Sequence, residues 1–178
     1  MPTPSLFLTV GLPCCGKTTA ARTFEAEHAA LRLTKDEWIK ALYGADNPSS
    51  ASDVVEGRLI TIALRVLSLG TNVALDLGLW SRDERSALRW AGIQAGASVV
   101  MWYAPITLDE QRRRHDIRLA DDPHTTWAIS DEELVTWAKW FDVPTPGERD
   151  GTEPIDPPPG GFATWQTWMQ QRWPPRVA

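Results

Sequence analysis

Two rhythms of apolar residues alternate along the chain. Short, mostly apolar runs at residues 6–10, 30–33 and 97–104, together with a third run in Thr71–Trp80 that ends near Asp76, read as buried strands. Between them apolar positions recur at three- and four-residue spacing, which reads as helix. Residues 17–29 form the first such segment. A second begins after Thr34, which with Glu37 has the spacing of a capping box, and stops at Gly44. Val55, Leu59, Ile62, Ala63 and Val66 mark a helix over 53–69 that Gly70 ends. Further helices are expected over 82–94 and 108–119, and in the capped segment Ser130–Phe141, where Leu134, Trp137, Ala138 and Phe141 share a face. Residues 44–52 read as a loop, and the Pro- and Gly-rich run over 142–161 as a loop or ordered crossing segment. A last helix carries Trp165, Trp168, Met169 and Trp173 on one side. Strands alternating with helices predict an α/β fold with a parallel sheet, and no internal repeat breaks the pattern.

The 178 residues suit one domain over the whole length, 1–178, with a single core. A net charge of −5 argues against charge-driven attraction to nucleic acid or an anionic membrane. No apolar run approaches the roughly 20 residues that span a bilayer. The N-terminus has neither a basic region nor a cleavage signature, so a cytoplasmic location is expected. Ten tryptophans are many for this length, enough to fill core positions and still line a pocket or an interface.

The stretch Gly11-Leu-Pro13-Cys14-Cys15-Gly16-Lys17-Thr18-Thr19 lies between the first strand and the first helix. It fits G-x-x-x-x-G-K-[ST] without a gap. Its glycines let the backbone N–H groups turn inward on an anion, and the adjoining helix adds the positive end of its dipole. Lys17 is placed to reach the β- and γ-phosphates, and Thr18 offers a hydroxyl to Mg²⁺. Cys14 and Cys15 occupy positions that need small side chains. A second reading has the loop amides and Lys17 lowering a thiol pKa and making nucleotide binding oxidation-sensitive. Neighbouring cysteines do not form the C-x-x-C of a redox enzyme.

Asp36 comes just after the second strand, which in this topology ends beside the loop, and is the candidate general base toward an acceptor hydroxyl. Glu37 is assigned to capping. Asp76, at the third strand's end, is the candidate metal-binding carboxylate. Arg82 and Arg85 come next, Arg85 on a solvated face. In the basic helix Arg114 and Arg118 are four apart and share a face, from which they are expected to close over a triphosphate as part of a mobile lid spanning about 108–130. Arg112 and Arg113 are assigned to the solvated side, and His115 to the surface.

The segments "GLPCCGKTT", "LTKDEW", "LDLGLWSRDER" and "QRRRHDIR" resemble the small P-loop kinases of the adenylate-kinase-like group. They are similar in particular to zeta-toxin, chloramphenicol-phosphotransferase and polynucleotide-kinase-like AAA-type ATP-binding proteins. The resemblance extends over residues 6–118, and "VTWAKWFDVPTPGE" looks like the segment after their lid. It implies a three-layer P-loop NTPase fold with a parallel sheet of four or five strands and a helical lid. It also implies ATP- and Mg²⁺-dependent transfer to a hydroxyl. Lys17 and Thr18 would then lie on phosphates and metal, Asp36 would act as base, Asp76 would lie near the metal or the acceptor, and Arg114 and Arg118 would sit in the lid. Ile39 and Lys40 stand where polynucleotide 5′-kinases carry an arginine, and no fifth strand is visible after the lid. The favoured partners are therefore ATP and a hydroxyl-bearing small molecule, with no membrane partner and with nucleic acid as the lesser alternative. A third alternative is an ATP-binding switch or slow ATPase, whose exposed Trp165, Trp168 and Trp173 would dock a partner protein.

Overall fold

The computed structural model describes residues 2–44, 49–124 and 126–174. Four strands, β1 (Ser5–Val10), β2 (Leu31–Thr34), β3 (Val73–Gly78) and β4 (Ser98–Tyr103), form a parallel sheet in the order β2-β3-β1-β4. Helices α1 (Lys17–His28), α2 (Lys35–Tyr43), α3 (Ser49–Ser68) and α4 (Arg82–Gln94) alternate with them. After β4 come α5 (Leu108–Asp121), α6 (Asp131–Trp140), the short α7 (Pro146–Asp150) and α8 (Trp165–Arg172). The expected α/β class and parallel sheet are what the chain forms, with four strands. Among the described residues no helix is long and apolar enough to cross a membrane.

The two faces of the sheet carry different loads because side chains alternate along each strand. Leu6, Leu8 and Val10 of β1, with Val73, Leu75 and Leu77 of β3, face the large core shared with α3, α4 and α8. Phe7 and Ala74 point the other way, into a small cluster under α1 where the Phe7 and Phe24 rings stack at 4.4 Å. One row across the sheet runs Thr34, Asp76, Thr9, Trp102. In that row Thr9 and Asp76 share the α1 face with Phe7 and Ala74.

Several local expectations change. Thr34 does not cap α2: its hydroxyl accepts from Arg32 at 2.5 Å, and Glu37 is drawn to Arg32 at 2.8 Å instead of to the helix end. Strand β3 runs past Asp76 to Gly78. Of the loop expected at 44–52, residues 45–48 lie outside the described residues, and the chain is helical from Ser49, since Ala51 and Val55 continue the buried face of α3 one turn earlier. In α6, Leu134 and Phe141 are buried but Ala138 is exposed. His115 is buried rather than superficial. Its Nε2 lies 3.1 Å from the Trp127 carbonyl and 3.2 Å from the Ile129 N–H.

The largest corrections concern Arg85 and the tail. Arg85 is fully buried and pairs with Glu148 of α7 at 2.9 Å, while its other donors reach the carbonyls of Leu79 and Asp142. Arg82 binds Asp156, Glu148 and Glu153, so α4 holds down the Pro-rich segment as a set of ion pairs. Helix α7 packs beside β4. Trp165 and Trp173 are buried and the half-buried Trp168 is wedged edge-on between them, so two of the three tryptophans that a partner-protein switch would expose are inside the protein.

Removing one member of a buried ion pair strands the other charge, at a cost of about 3–5 kcal/mol. Arg85→Leu is therefore expected to lower the urea midpoint sharply. The double change Arg85→Leu with Glu148→Leu should recover much of the loss.

Candidate functional site

The loop between β1 and α1 is built by three left-handed residues. Gly11 has φ +147° and Gly16 φ +102°, and Cys14 adopts φ +64° at a cost of about 1–2 kcal/mol for a residue with a Cβ. At Gly11 a methyl group would lie 2.5 Å from the Cys15 sulfur, so only glycine fits. The register between β1 and β3 shifts after Thr9, so that Val10 pairs with Gly78, and the Gly11 N–H donates to the Gly78 carbonyl at 3.0 Å. Gly16 then caps α1 without a side chain, leaving the first-turn N–H groups facing the loop. Pro13 is half-buried in the loop, and Thr19 is exposed on the first turn of α1.

Asp76 closes this arrangement from the neighbouring strand. Its two carboxylate oxygens accept from the Thr9 hydroxyl at 3.0 Å and the Thr18 hydroxyl at 2.7 Å. The carboxylate is 5% exposed, so the burial that the sequence attaches to it is compensated by two hydroxyls. Lys17 donates to the Leu12 carbonyl at 2.8 Å, which holds its ammonium at the loop's mouth.

The basic helix arrives from the other side. Arg114 donates to the Cys14 carbonyl at 3.3 Å and pairs with Glu110 at 2.6 Å. Glu110, bonded by Arg113 and Arg114, is held down at about 2. Burial pushes the Cys14 thiol up, against the opposing pull of Arg118, Lys17 and Arg114. Lys17 and Arg114 thus both reach carbonyls of one loop, and Arg118 is near enough to act on the Cys14 thiol. Arg112 and Arg113 do not join them and pair with Asp131 and Glu110. The raised thiol also runs against the oxidation-sensitive reading of the cysteine pair, because the thiolate is the reactive form.

Asp36 is exposed in the first turn of α2, two residues beyond Thr34, whose strand partner is Asp76. It therefore stands at the same sheet edge as the loop. Lys40, four residues on and so on the same flank, lies 4.6 Å over the Trp127 ring and donates to the His124 carbonyl. This flank of α2 faces the segment after α5. Neither contact was visible in the sequence, nor was the role of Trp102. A cleft of about 440 Å³ opens beside α1, lined by Gly16, Thr19, Ala20, Thr23, Phe24, Trp102 and Arg114. Strand parity does carry that signal, since Trp102 shares a row with Thr9 and Asp76. Among the described residues no three His, Cys, Asp or Glu side chains are grouped to hold a metal by themselves.

A parallel sheet flanked by helices, with a glycine loop, a lysine and a hydroxyl–carboxylate pair at its C-terminal edge, defines a P-loop NTPase domain of the kinase-like kind. The sequence profile described as an AAA domain matches residues 6–144, and the chain belongs to that family. Among solved structures, one from the Pnkp1/Rnl/Hen1 RNA repair complex superposes with a TM-score of 0.68 at 18% identity. That match covers 88% of this chain and 48% of the other, so this chain spans about half its length. Kti12 of Chaetomium thermophilum, in complex with ADP-AlF3, gives 0.61 at 16% identity over 94% of this chain and 95% of that one. A gluconokinase of Sinorhizobium meliloti gives 0.59 at 14% over 84% and 81%. No curated protein sequence matches the chain.

The half-buried Cys14 thiol is expected to react with iodoacetamide more slowly than free cysteine at pH 8. Its rate should still be climbing above pH 9, the ordinary thiol value. A plateau below pH 8 would show a thiolate-stabilising loop.

Proposed function

We propose that the protein is an ATP- and Mg²⁺-dependent phosphotransferase that moves the γ-phosphoryl group onto a hydroxyl of a small molecule. The observation that carries this reading is the Thr18–Asp76 hydrogen bond at 2.7 Å, set in a loop toward which Lys17, Arg114 and Arg118 direct their charge. A hydroxyl and a carboxylate in contact are hard oxygen donors of the kind Mg²⁺ takes alongside phosphate oxygens. The pair fits that ion, which would neutralise charge between the β- and γ-phosphates.

The residues divide the work. Backbone N–H groups of the loop, contributed by Cys14, Gly16, Thr18 and Thr19, cradle the phosphates, while Gly11 and Cys15, whose own N–H groups go to the Gly78 and Leu12 carbonyls, shape the turn with Pro13. Lys17 exchanges the Leu12 carbonyl for phosphate oxygens. Arg114 and Arg118 stabilise the charge on the migrating group. The Asp36 carboxylate takes the acceptor's hydroxyl proton as that oxygen bonds to the γ-phosphorus. The bond to the β–γ bridging oxygen breaks, and ADP carries the electron pair away. The cleft beside α1 suits the base, which would stack on Trp102. Thr19 and Thr23 hydroxyls both donate and accept, so they suit an amino or an oxo edge.

A polynucleotide acceptor is the second reading, and the likeness to a chain of an RNA repair complex supports it as far as fold goes. Against it, Ile39 is buried, Lys40 is engaged at Trp127, and Arg22 and Arg32 beside α2 pair with Glu25 and Glu37.

With γ-labelled ATP, Mg²⁺ and a panel of hydroxylated small molecules and 5′-hydroxyl oligonucleotides, label should move to a small molecule. Asp36→Asn should reduce that transfer at least 100-fold. Label released only as free phosphate, equally in both proteins, would overturn the reading. Trp102→Ala is expected to raise the KM for ATP about tenfold, in line with a stacking contribution of about 1–3 kcal/mol, and to leave kcat unchanged.

A further inference from the structure

A half-buried ammonium and a buried carboxylate take no part in the chemistry above. Lys35 opens α2, and its ammonium donates to Glu56 Oε1 of α3 at 2.9 Å. The other oxygen of Glu56 accepts the indole N–H of Trp173 at 2.7 Å, a fully buried bond between residues 117 positions apart. The guanidinium of Arg172 lies 3.7 Å from that same oxygen while it binds Glu84 and Asp53. Beneath the polar joint the backbones touch. A Cβ added at Gly57 would lie 2.8 Å from the Trp173 carbonyl oxygen, so the end of α8 is seated directly on α3.

A buried ion pair adds little net stability over an apolar pair of the same volume. What it adds is direction, because a hydrogen-bonded joint admits one geometry where an apolar contact admits sliding. The first turn of α2 needs such a joint. Its N-cap residue, Thr34, makes no side-chain bond to the helix, being committed to Arg32. Ile39 anchors the helix one turn later and Lys40 ties its far end to Trp127. Glu37, later in the same turn, is held to Arg32 of β2, and Lys35 fastens the start of the turn, next to Asp36, to α3.

We propose that Trp173, Glu56 and Lys35 form a positioning relay through which the C-terminal helix orients the first turn of α2, and with it Asp36. The step to Asp36 rests on the reading of that residue as the general base. The three are positioning residues: none touches the reacting atoms. Displacing a catalytic group by about 1 Å can cost 100-fold in rate, so a relay of this length is enough to make turnover depend on the tail.

The test compares two buried tail tryptophans in the full chain. Trp173→Phe removes the indole bond to Glu56. Trp165→Phe removes an equivalent indole bond, to the Asp156 carbonyl at 2.9 Å, with the same change of volume but off the relay. Hydrogen exchange of the amides of 35–43, the dissociation constant of Mg·ADP, and kcat and KM for phosphoryl transfer are measured for each. In Trp173→Phe the α2 amides should exchange at least tenfold faster, and kcat should fall at least tenfold. The KM for ATP and the Mg·ADP affinity should stay within twofold. In Trp165→Phe, α2 exchange and kcat should match the wild type. Glu56→Gln, which weakens the joint without changing its volume, should repeat the Trp173→Phe pattern and serves if that variant fails to fold. Equal effects in the two tryptophan variants, or no effect on α2 in either, would overturn the relay. Faster α2 exchange with kcat unchanged would overturn the link to Asp36. A wild type that transfers phosphate to no acceptor would refute the kinase reading alone, since the exchange comparison still decides the relay.

Discussion

Asp76 is a carboxylate in the middle of an apolar strand, and the site is arranged around keeping it there. It survives burial because Thr9 and Thr18 each give it a hydroxyl. Thr9 comes from the adjacent strand and sets only the sheet register. Thr18 comes from the first turn of α1, so the bond fixes how close that helix starts to β3. With both ends tethered, the residues between must turn within a short arc, which explains two glycines and one cysteine in left-handed conformations. The same tether aims the free N–H groups of α1 along the sheet edge where Asp36 stands.

Around that fixed point the fold is asymmetric. One face of the sheet is covered by α3, α4 and α8 and holds most of the core. The other carries α1 and a small cluster centred on Phe7 and Phe24. The thin side leaves room beside β4, and the cleft under Arg114 lies there. Open space next to a strained, cation-ringed loop is what a nucleotide requires: an apolar wall for the base and a charged end for the phosphates.

Helix α4 and the glycine loop were legible in the sequence because their determinants are local. The helix expected over 82–94 forms there, with Ser81 and Glu84 as its capping box, and the loop's glycines lie where their backbone angles demand them. What local pattern could not carry was competition between distant groups. Thr34 and Glu37 have the spacing of a capping box, yet both are taken by Arg32, whose position depends on β2 pairing with β3. Arg85 resembles a residue of a solvated face until Glu148, 63 positions away, folds over it. The loop and its cations were readable as a candidate site. The cleft beside α1 was not, because it is defined by which part of the sheet α1 leaves uncovered.

The AAA-domain match ends at residue 144, but residues 145–174 are no appendage to the fold. Glu148, Glu153 and Asp156 neutralise arginines of α4, and Trp173 completes the partnership of Glu56. During synthesis these partners arrive after α3 and α4. A ribosome that has released α4 has exposed Arg82 and Arg85 without their counter-charges, and α3 with Glu56 lacking its indole. The nascent chain can form the sheet and the glycine loop early, but it cannot bury those charges until residues 148–173 have left the exit tunnel. The sheet edge that carries the glycine loop is then assembled from segments far apart in sequence, in time as well as in space, and a stalled product would keep its glycine loop while lacking the framework around it.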